Sequence, residues 1–439
     1  MKALLLDGSH TDDHTGERVR AALTSALQTR GWEVEHIVLR EKTIGNCAGD
    51  FFCWIRTPGV CNVDDDNRAI AEALVASDLM VYLTPVTFGG YASALKRMVD
   101  HQIQNVSPFF AMVEGETHHQ KRYPRYPDFL AVGWMDAPDG EAEAVFRHLV
   151  HRNTINFFAE RAACAVVYAG QSDAEIQAAV RQGLHDLEHG PPARTVDLPI
   201  RRETGNGESP VRRALLLVGS PRTRKSTSHS LGEYLFERLR AQSIQTDTIY
   251  LHTVLRSPEK MKSLLEAVDG ADLVTLAFPL YVDSLPAPVI EALERLAAHR
   301  SGRLRTPRQS FTALVNCGFP EAHHNATALA ICATFARQAG FAWAGGLALG
   351  GGEGIAGKPL AGLGGRTIRI RKSLELAATV LAQGQNIPKA AQELMARPAI
   401  PAWLYRLIGS HGWKRWARKY GAEKALRRRP YSAQASDSP

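Results

Sequence analysis

No stretch of this 439-residue chain approaches the ~20 consecutive apolar residues needed to cross a bilayer. The longest apolar runs are short and broken by Gly or Asp. The start, Met1-Lys2-Ala3-Leu4-Leu5-Leu6-Asp7, is too short an apolar core for a secretory signal, so the sequence reads as cytoplasmic. Cysteine is scarce, with six residues, which argues against a disulfide scaffold and for a reducing compartment. With 45% hydrophobic and 22% charged residues, the composition is that of a globular protein of two or three domains rather than a disordered one.

Positive charge is concentrated at one end. Residues 401–439 hold nine Lys/Arg against Glu423 and Asp437, and this excess equals the formal +7 of the whole chain. The first 400 residues are therefore electrically balanced, and a broad basic surface for nucleic acid is not expected.

The chain is a diverged internal repeat. Ala3-Leu4-Leu5-Leu6-Asp7-Gly8-Ser9 returns as Ala214-Leu215-Leu216-Leu217-Val218-Gly219-Ser220. In both, an apolar run ends in Gly-Ser and an amphipathic helical pattern follows, Val19–Leu27 and Leu231–Leu239. Second strands follow at Val34–Leu39 and Thr246–Leu251. Ser77-Asp78-Leu79-Met80-Val81 then matches Ala271-Asp272-Leu273-Val274-Thr275, Pro85 matches Pro279, and Phe129–Trp134 matches Phe311–Asn316. The shrinking offset places one insert in the first copy at 44–61 and another around Glu114–Tyr126. Alternating short apolar strands and helices predict two doubly wound α/β domains with parallel sheets. We expect domain one at 1–189, a polar linker at 190–212, domain two at 213–385, and a basic aromatic extension at 386–439 whose end, Ser432–Pro439, is disordered.

The second copy carries Gly219-Ser220-Pro221-Arg222-Thr223-Arg224-Lys225-Ser226-Thr227-Ser228 between strand and helix. Hydroxyls, bases and free backbone N–H groups at a helix start suit a phosphate. A capped helix start with Ser226 or Ser228 as N-cap accounts for the loop equally well. After the third strand comes Phe278-Pro279-Leu280-Tyr281-Val282-Asp283-Ser284-Leu285-Pro286, and the fourth ends in Asn316-Cys317-Gly318. Right-handed crossovers bring these three loops to one sheet edge. One can hold a phosphate and two can flank a flat aromatic ring, as flavin mononucleotide (FMN) requires.

Through these residues the chain resembles the flavodoxin-like NAD(P)H-dependent FMN reductases. The resemblance implies that Ser220, Arg222, Ser226, Thr227 and Ser228 hold the FMN phosphate. It implies that Pro279, Leu280, Tyr281, Val282, Asp283, Asn316, Cys317 and Gly318 line the isoalloxazine, with Tyr281 the candidate beside flavin or substrate. The first copy resembles the iron–sulfur flavoprotein branch through Cys47-Ala48-Gly49-Asp50-Phe51-Phe52-Cys53-Trp54 and Thr57-Pro58-Gly59-Val60-Cys61. Its weaker flavin set is Ser9, Thr15, Gly16, Pro85, Val86, Thr87, Phe88 and Gly89. The four-Cys pattern of that branch needs a cysteine where this chain has Asp50. Asp12 and Asp13 stand where the second copy has bases, so the second copy is the expected FMN site.

Cys47, Cys53 and Cys61 are read as thiols packed in the insert; the alternatives are redox thiols, a zinc site, or a cluster, which normally takes four thiolates and here would leave one iron to Asp50 or open. Other metal-like motifs have plainer accounts. His185-Asp186-Leu187-Glu188-His189 lacks a third ligand, and Asp64-Asp65-Asp66 starts a helix. Gly352-Glu353-Gly354-Ile355-Ala356-Gly357 is a loop near the flavin edge, and Glu116-Thr117-His118-His119 a polar insert. In the extension, Trp413, Trp416 and Tyr420 share one helical face, expected to dock on the second copy or a partner; peripheral membrane contact and electrostatic contact with nucleic acid are the alternatives.

The sequence thus points to an FMN-dependent oxidoreductase passing a hydride from NAD(P)H to a small acceptor such as a quinone, flavin, nitro or azo compound. The family resemblance adds a homo-oligomer or an intrachain pseudo-dimer. Two other readings are an electron-transfer flavoprotein using the Cys-rich insert, and a non-catalytic scaffold with a docking tail.

Overall fold

The computed structural model describes residues 1–190, 198, 210–302 and 309–432. The chain divides into two compact units, Met1–Asp197 with Trp403–Pro439, and Leu198–Ala402. Most of the expected linker, and the end of the tail from 433, lie outside the described residues.

In unit one the strands are β1 (Lys2–Asp7), β2 (Glu33–Val38), β3 (Leu79–Thr87), β4 (Gly90–Tyr91), β5 (Val106–Val113), β6 (Glu116–Lys121), β7 (Asp128–Met135) and β8 (Ala162–Tyr168). Five of them form a parallel sheet in the order β2-β1-β3-β7-β8. The strands were legible because both faces are covered: Ala3 to Leu6 and Leu79 to Leu83 are fully buried. Helices His14–Thr29 and Asp173–His189 cover one face, with Val19, Leu23, Ile176 and Val180 packed onto Leu5, Val81 and Val132.

Unit two repeats the plan with β9 (Arg213–Val218), β10 (Gln245–Tyr250), β11 (Leu273–Pro279), β12 (Ser310–Asn316) and β13 (Ala342–Leu349), ordered β10-β9-β11-β12-β13. In both units the chain order reverses beside the first strand, which opens a crevice at the strand C-termini. The same backbone tie closes both edges: Gly8 N–H donates to Leu83 O and Gly219 N–H to Ala277 O, each at 2.8 Å.

Three features depart from expectation. The second insert, expected only as a polar insert around Glu114–Tyr126, supplies β6, which pairs antiparallel with β5 just ahead of it in a hairpin. The extension is not one body. Helix Lys389–Ala396 puts Ala391 and Met395 into the core of unit two, beyond the expected boundary at 385, whereas residues from 403 onward belong to unit one. The tail therefore docks on the first copy, not the second. Ala417, Ala422 and Leu426 join Cys53, Trp54, Ile55, Val106 and Phe109 in one apolar cluster. Trp413 packs edge-on against Phe51 and Trp54, with centroids 5.2 and 5.1 Å away. No helix among the described residues is long and apolar enough to cross a membrane.

Candidate functional site

In unit two, Ser226 is the N-cap of helix Thr227–Arg240, its Oγ accepting from His229 N–H at 3.1 Å. The capping account of the loop is thus correct for Ser226, and it does not exclude a phosphate on the neighbouring donors. Ser220, Ser226, Thr227 and Ser228 are all buried at this edge. Asn316, at the end of β12, donates through Nδ2 to Ser228 Oγ at 2.9 Å and to Phe278 O at 3.0 Å. Leu280 N–H donates to Asn316 O at 2.8 Å. The expected phosphate loop and two ring loops are therefore laced together by direct bonds.

The turn after β11 is tight. Tyr281 and Ser284 exchange both backbone hydrogen bonds, at 2.9 and 3.1 Å. Val282 and Asp283 between them have φ of 46° and 54°. A β-branched residue in the left-handed region is strained, and such strain persists only where the surroundings impose it. The first copy has the equivalent turn, with Phe88 at φ 55° and Gly89 at φ 82°.

Sequence reasoning placed the Gly352–Gly357 segment near this edge but missed its contacts. Thr227 Oγ1 donates to Gly352 O at 2.8 Å, and Gly352 N–H donates to Cys317 O at 2.9 Å. A Cβ on Gly357 would lie 2.3 Å from the Lys225 backbone, so only glycine permits this approach. The segment lies on the phosphate loop as a strap. The donor chemistry of the edge fits an FMN phosphate, provided Thr227 exchanges its Gly352 partner for that phosphate.

The matching edge of unit one is committed otherwise. Asp13 is the N-cap of helix His14–Thr29, accepting from Gly16 N–H at 2.9 Å and from Trp134 Nε1 at 3.0 Å. Trp134 stands where the second copy has Asn316, and a Cβ on Gly16 would meet its ring at 2.8 Å. Asp7, which sequence reasoning did not single out, accepts Ser9 N–H at 2.9 Å, Arg20 Nη1 at 3.2 Å and pairs with His36 Nε2 at 3.1 Å. Burial opposes its ionisation, but the bonds from His36, Ser9 and Arg20 outweigh burial and hold its pKa at about 2. Two resident carboxylates thus take the N–H groups that a phosphate would need, and this edge does not fit a phosphate dianion. Arg40 Nη1 also reaches Ser9 Oγ, at 3.1 Å.

The first insert gathers the three cysteines. Cys47, Cys53 and Cys61 line one cavity together with Asp50, Phe51 and His101. All are free thiols. Burial pushes the Cys47 thiol up to about 12, and Cys53 rises in the same sense, opposed by the Arg122 guanidinium. The acidic run at 64–66 secures the insert rather than a metal: Asp65 accepts Gly45 N–H at 2.8 Å and Asp66 accepts Thr43 N–H at 2.7 Å. The tail packs beside this region. Arg122, 2% exposed, donates to Leu426 O at 3.3 Å and Arg428 O at 2.7 Å.

Comparison with known proteins agrees with this duplicated architecture. A family model described as NADPH-dependent FMN reductase matches residues 1–115 and 212–342. An iron–sulfur flavoprotein of Methanosarcina thermophila is 26% identical over 103 residues, covering 24% of this chain and 53% of that protein. Another from Methanocaldococcus jannaschii is 33% identical over 101 residues, covering 23% and 51%. The chain thus spans about half the length of the curated relatives it matches. Among solved structures, an NAD(P)H:quinone oxidoreductase from Methanothermobacter marburgensis is similar at 16% identity, over 40% of this chain and 96% of that one, with a TM-score of 0.31.

Proposed function

Because the chain belongs to the NADPH-dependent FMN reductase family, duplicated in tandem, we propose that it is an FMN-dependent NAD(P)H oxidoreductase whose second copy carries the flavin. The reading rests above all on the contrast between the two helix N-termini. In the second copy the helix cap is the neutral Ser226; in the first it is the carboxylate of Asp13. A dianionic phosphate is attracted to the helix start capped by Ser226 and repelled by the one capped by Asp13.

Bound FMN would supply the hydride-accepting and hydride-donating ring. The protein's part is to bind and orient. Ser220, Thr227, Ser228 and Arg222 hold the phosphate, and Ser226 fixes the start of the helix behind it. Pro279 to Asp283 and Asn316 to Gly318 flank the ring, their spacing set by the bonds from Asn316 to Ser228 and Phe278. Tyr281 lines the face where a small acceptor, such as a quinone, flavin, nitro or azo compound, would stack. The Gly352–Gly357 strap, whose Gly352 carbonyl accepts from Thr227, would release that hydroxyl to the phosphate.

A second reading has its own observation. The gathering of Cys47, Cys53 and Cys61 around one cavity favours an electron-carrying centre in the first copy, serving the flavin in the second. The test of the main reading is NADH and NADPH oxidation by FMN-loaded protein with quinone, nitro and azo acceptors. Acceptor-dependent turnover supports it. Retained FMN with no turnover on any acceptor, using either nicotinamide, would overturn it.

A further inference from the structure

We propose that His101, through Nδ1, is the fourth ligand of an iron–sulfur cluster held by Cys47, Cys53 and Cys61. The inference rests on the second reading above and specifies its ligand set. The cysteine-containing insert offers only three thiols, and position 50 is aspartate. The sequence suggested Asp50 as the substitute ligand. The structure favours a residue forty positions beyond the last of these cysteines.

Asp50 is exposed, and its Oδ1 accepts Phe52 N–H at 3.0 Å, where it supports the turn into helix Phe52–Ile55. That bond occupies one oxygen of a carboxylate that lines the cavity but faces solvent. His101 is 2% exposed and ends the helix Ser93–His101 on the cavity wall. Its Nε2 lies 2.8 Å from Gly45 O. A carbonyl can only accept, so Nε2 carries a proton, and in the neutral imidazole Nδ1 is the nitrogen with the lone pair that a metal would take. Nδ1 lies 3.5 Å from Cys61 Sγ. An imidazole whose far nitrogen is pinned by a carbonyl, and whose near nitrogen faces a thiol, has the orientation metal-bound histidines are given by their outer partners.

Two surrounding features suit a centre with thiolate charge. The buried Arg122 guanidinium donates to the carbonyls of Val106, Leu426 and Arg428, and its Nη2 has no hydrogen-bond partner among the described residues. It is a cation set near Cys53. The tail supplies apolar packing behind Cys53, with Ala417, Ala422 and Leu426 in one cluster with Cys53 and Trp54. Apolar packing around Cys53 lowers the local polarity on that side of the centre, one of the levers on a cluster's potential. The tail, unexplained by a reductase alone, thereby acquires a role.

The test uses the full chain, loaded with FMN and reconstituted anaerobically with ferrous iron and sulfide. Iron, acid-labile sulfide and FMN are counted per chain, and the dithionite-reduced protein is examined by pulsed electron paramagnetic resonance. The expected result is a cluster of about four irons with a coupled imidazole nitrogen. Asp50→Ala should leave iron content and spectrum unchanged. His101→Ala should lower retained iron at least twofold. His101→Cys should restore the iron and abolish the nitrogen coupling, a rescue that a merely folding role for His101 would not give. The proposal is overturned by a cluster without nitrogen coupling, by zinc bound in place of iron and sulfide, by sensitivity to Asp50→Ala but not His101→Ala, or by protein that keeps FMN and takes up no iron. The last outcome would leave the reductase reading standing, because flavin and iron are counted on the same sample.

Discussion

Replacing Arg122 by methionine should loosen the C-terminal segment from unit one. The guanidinium is 2% exposed and donates to Val106 O at 3.2 Å, Leu426 O at 3.3 Å and Arg428 O at 2.7 Å. Methionine keeps most of the apolar stem and loses every donor. A hydrogen bond from a charged group contributes ~1.5–3 kcal/mol, and only the Arg428 bond is short. Against this, the substitution relieves the desolvation that depresses the Arg122 pKa. A net loss of about 2 kcal/mol remains, and it falls on the junction between 122 and 426–428. If the segment opens as a local unit, its open population rises about thirtyfold. The run Arg427-Arg428-Arg429 makes this readable by trypsin. In the closed form Arg427 lies over the Phe109 ring at 4.7 Å and Arg429 Nε donates to Arg122 O at 2.7 Å. Under conditions where reclosing outpaces cleavage, the cut at 427–429 should accelerate by roughly that factor. A rate within twofold of the wild type would refute the claim that Arg122 holds the tail.

Three further outcomes are expected. Leu426→Ala removes a side chain that is 2% exposed in the cluster over Cys53, and should cost about 2–3 kcal/mol in denaturant unfolding of unit one; an unchanged midpoint would show that the tail is not part of that core. The Asp7 pKa is about 2 when folded against an ordinary 3.8, so its contribution is present above about pH 4 and lost as pH falls through 2. It amounts to about 2 kcal/mol, and Asp7→Asn should flatten this limb of an acid unfolding curve. Gly357→Ala places a Cβ at φ 77° within 2.3 Å of the Lys225 backbone, which should push the strap off Thr227. If the strap competes with phosphate, apparent FMN affinity rises a few-fold, and unchanged or weaker binding in a titration would contradict the competition.

The two sheets were readable because parallel strands buried on both faces appear as plain apolar runs, and the repeat made each copy a check on the other. Ala214–Val218 and Ala3–Leu6 needed no tertiary information. The β5–β6 hairpin was not readable: Pro108 argues against a strand, and Glu116–Lys121 is polar throughout. Its strand character comes from pairing and from packing of Val106 and Phe109 in the tail cluster. The phosphate-loop contrast was half legible. Asp13 could be suspected from charge, but Asp7 looks like an ordinary strand end until Arg20 and His36 converge on it from separate elements. His101 carried no signal at all. It is one histidine at a helix end, and only the fold brings it to Cys61. The tail's aromatics were visible as a helical face, yet their partners Phe51 and Trp54 lie more than 350 residues earlier.

The central claim is that one copy, the second, takes the flavin. The most direct measurement is FMN titration of the full chain by flavin fluorescence, comparing wild type, Arg222→Glu in the second copy and Thr15→Glu in the first. The account predicts one equivalent of FMN per chain. Arg222→Glu should weaken binding about tenfold or more, since it puts a carboxylate beside the phosphate loop. Thr15→Glu should change nothing. Two equivalents per chain, or binding weakened by Thr15→Glu and indifferent to Arg222→Glu, would contradict the account.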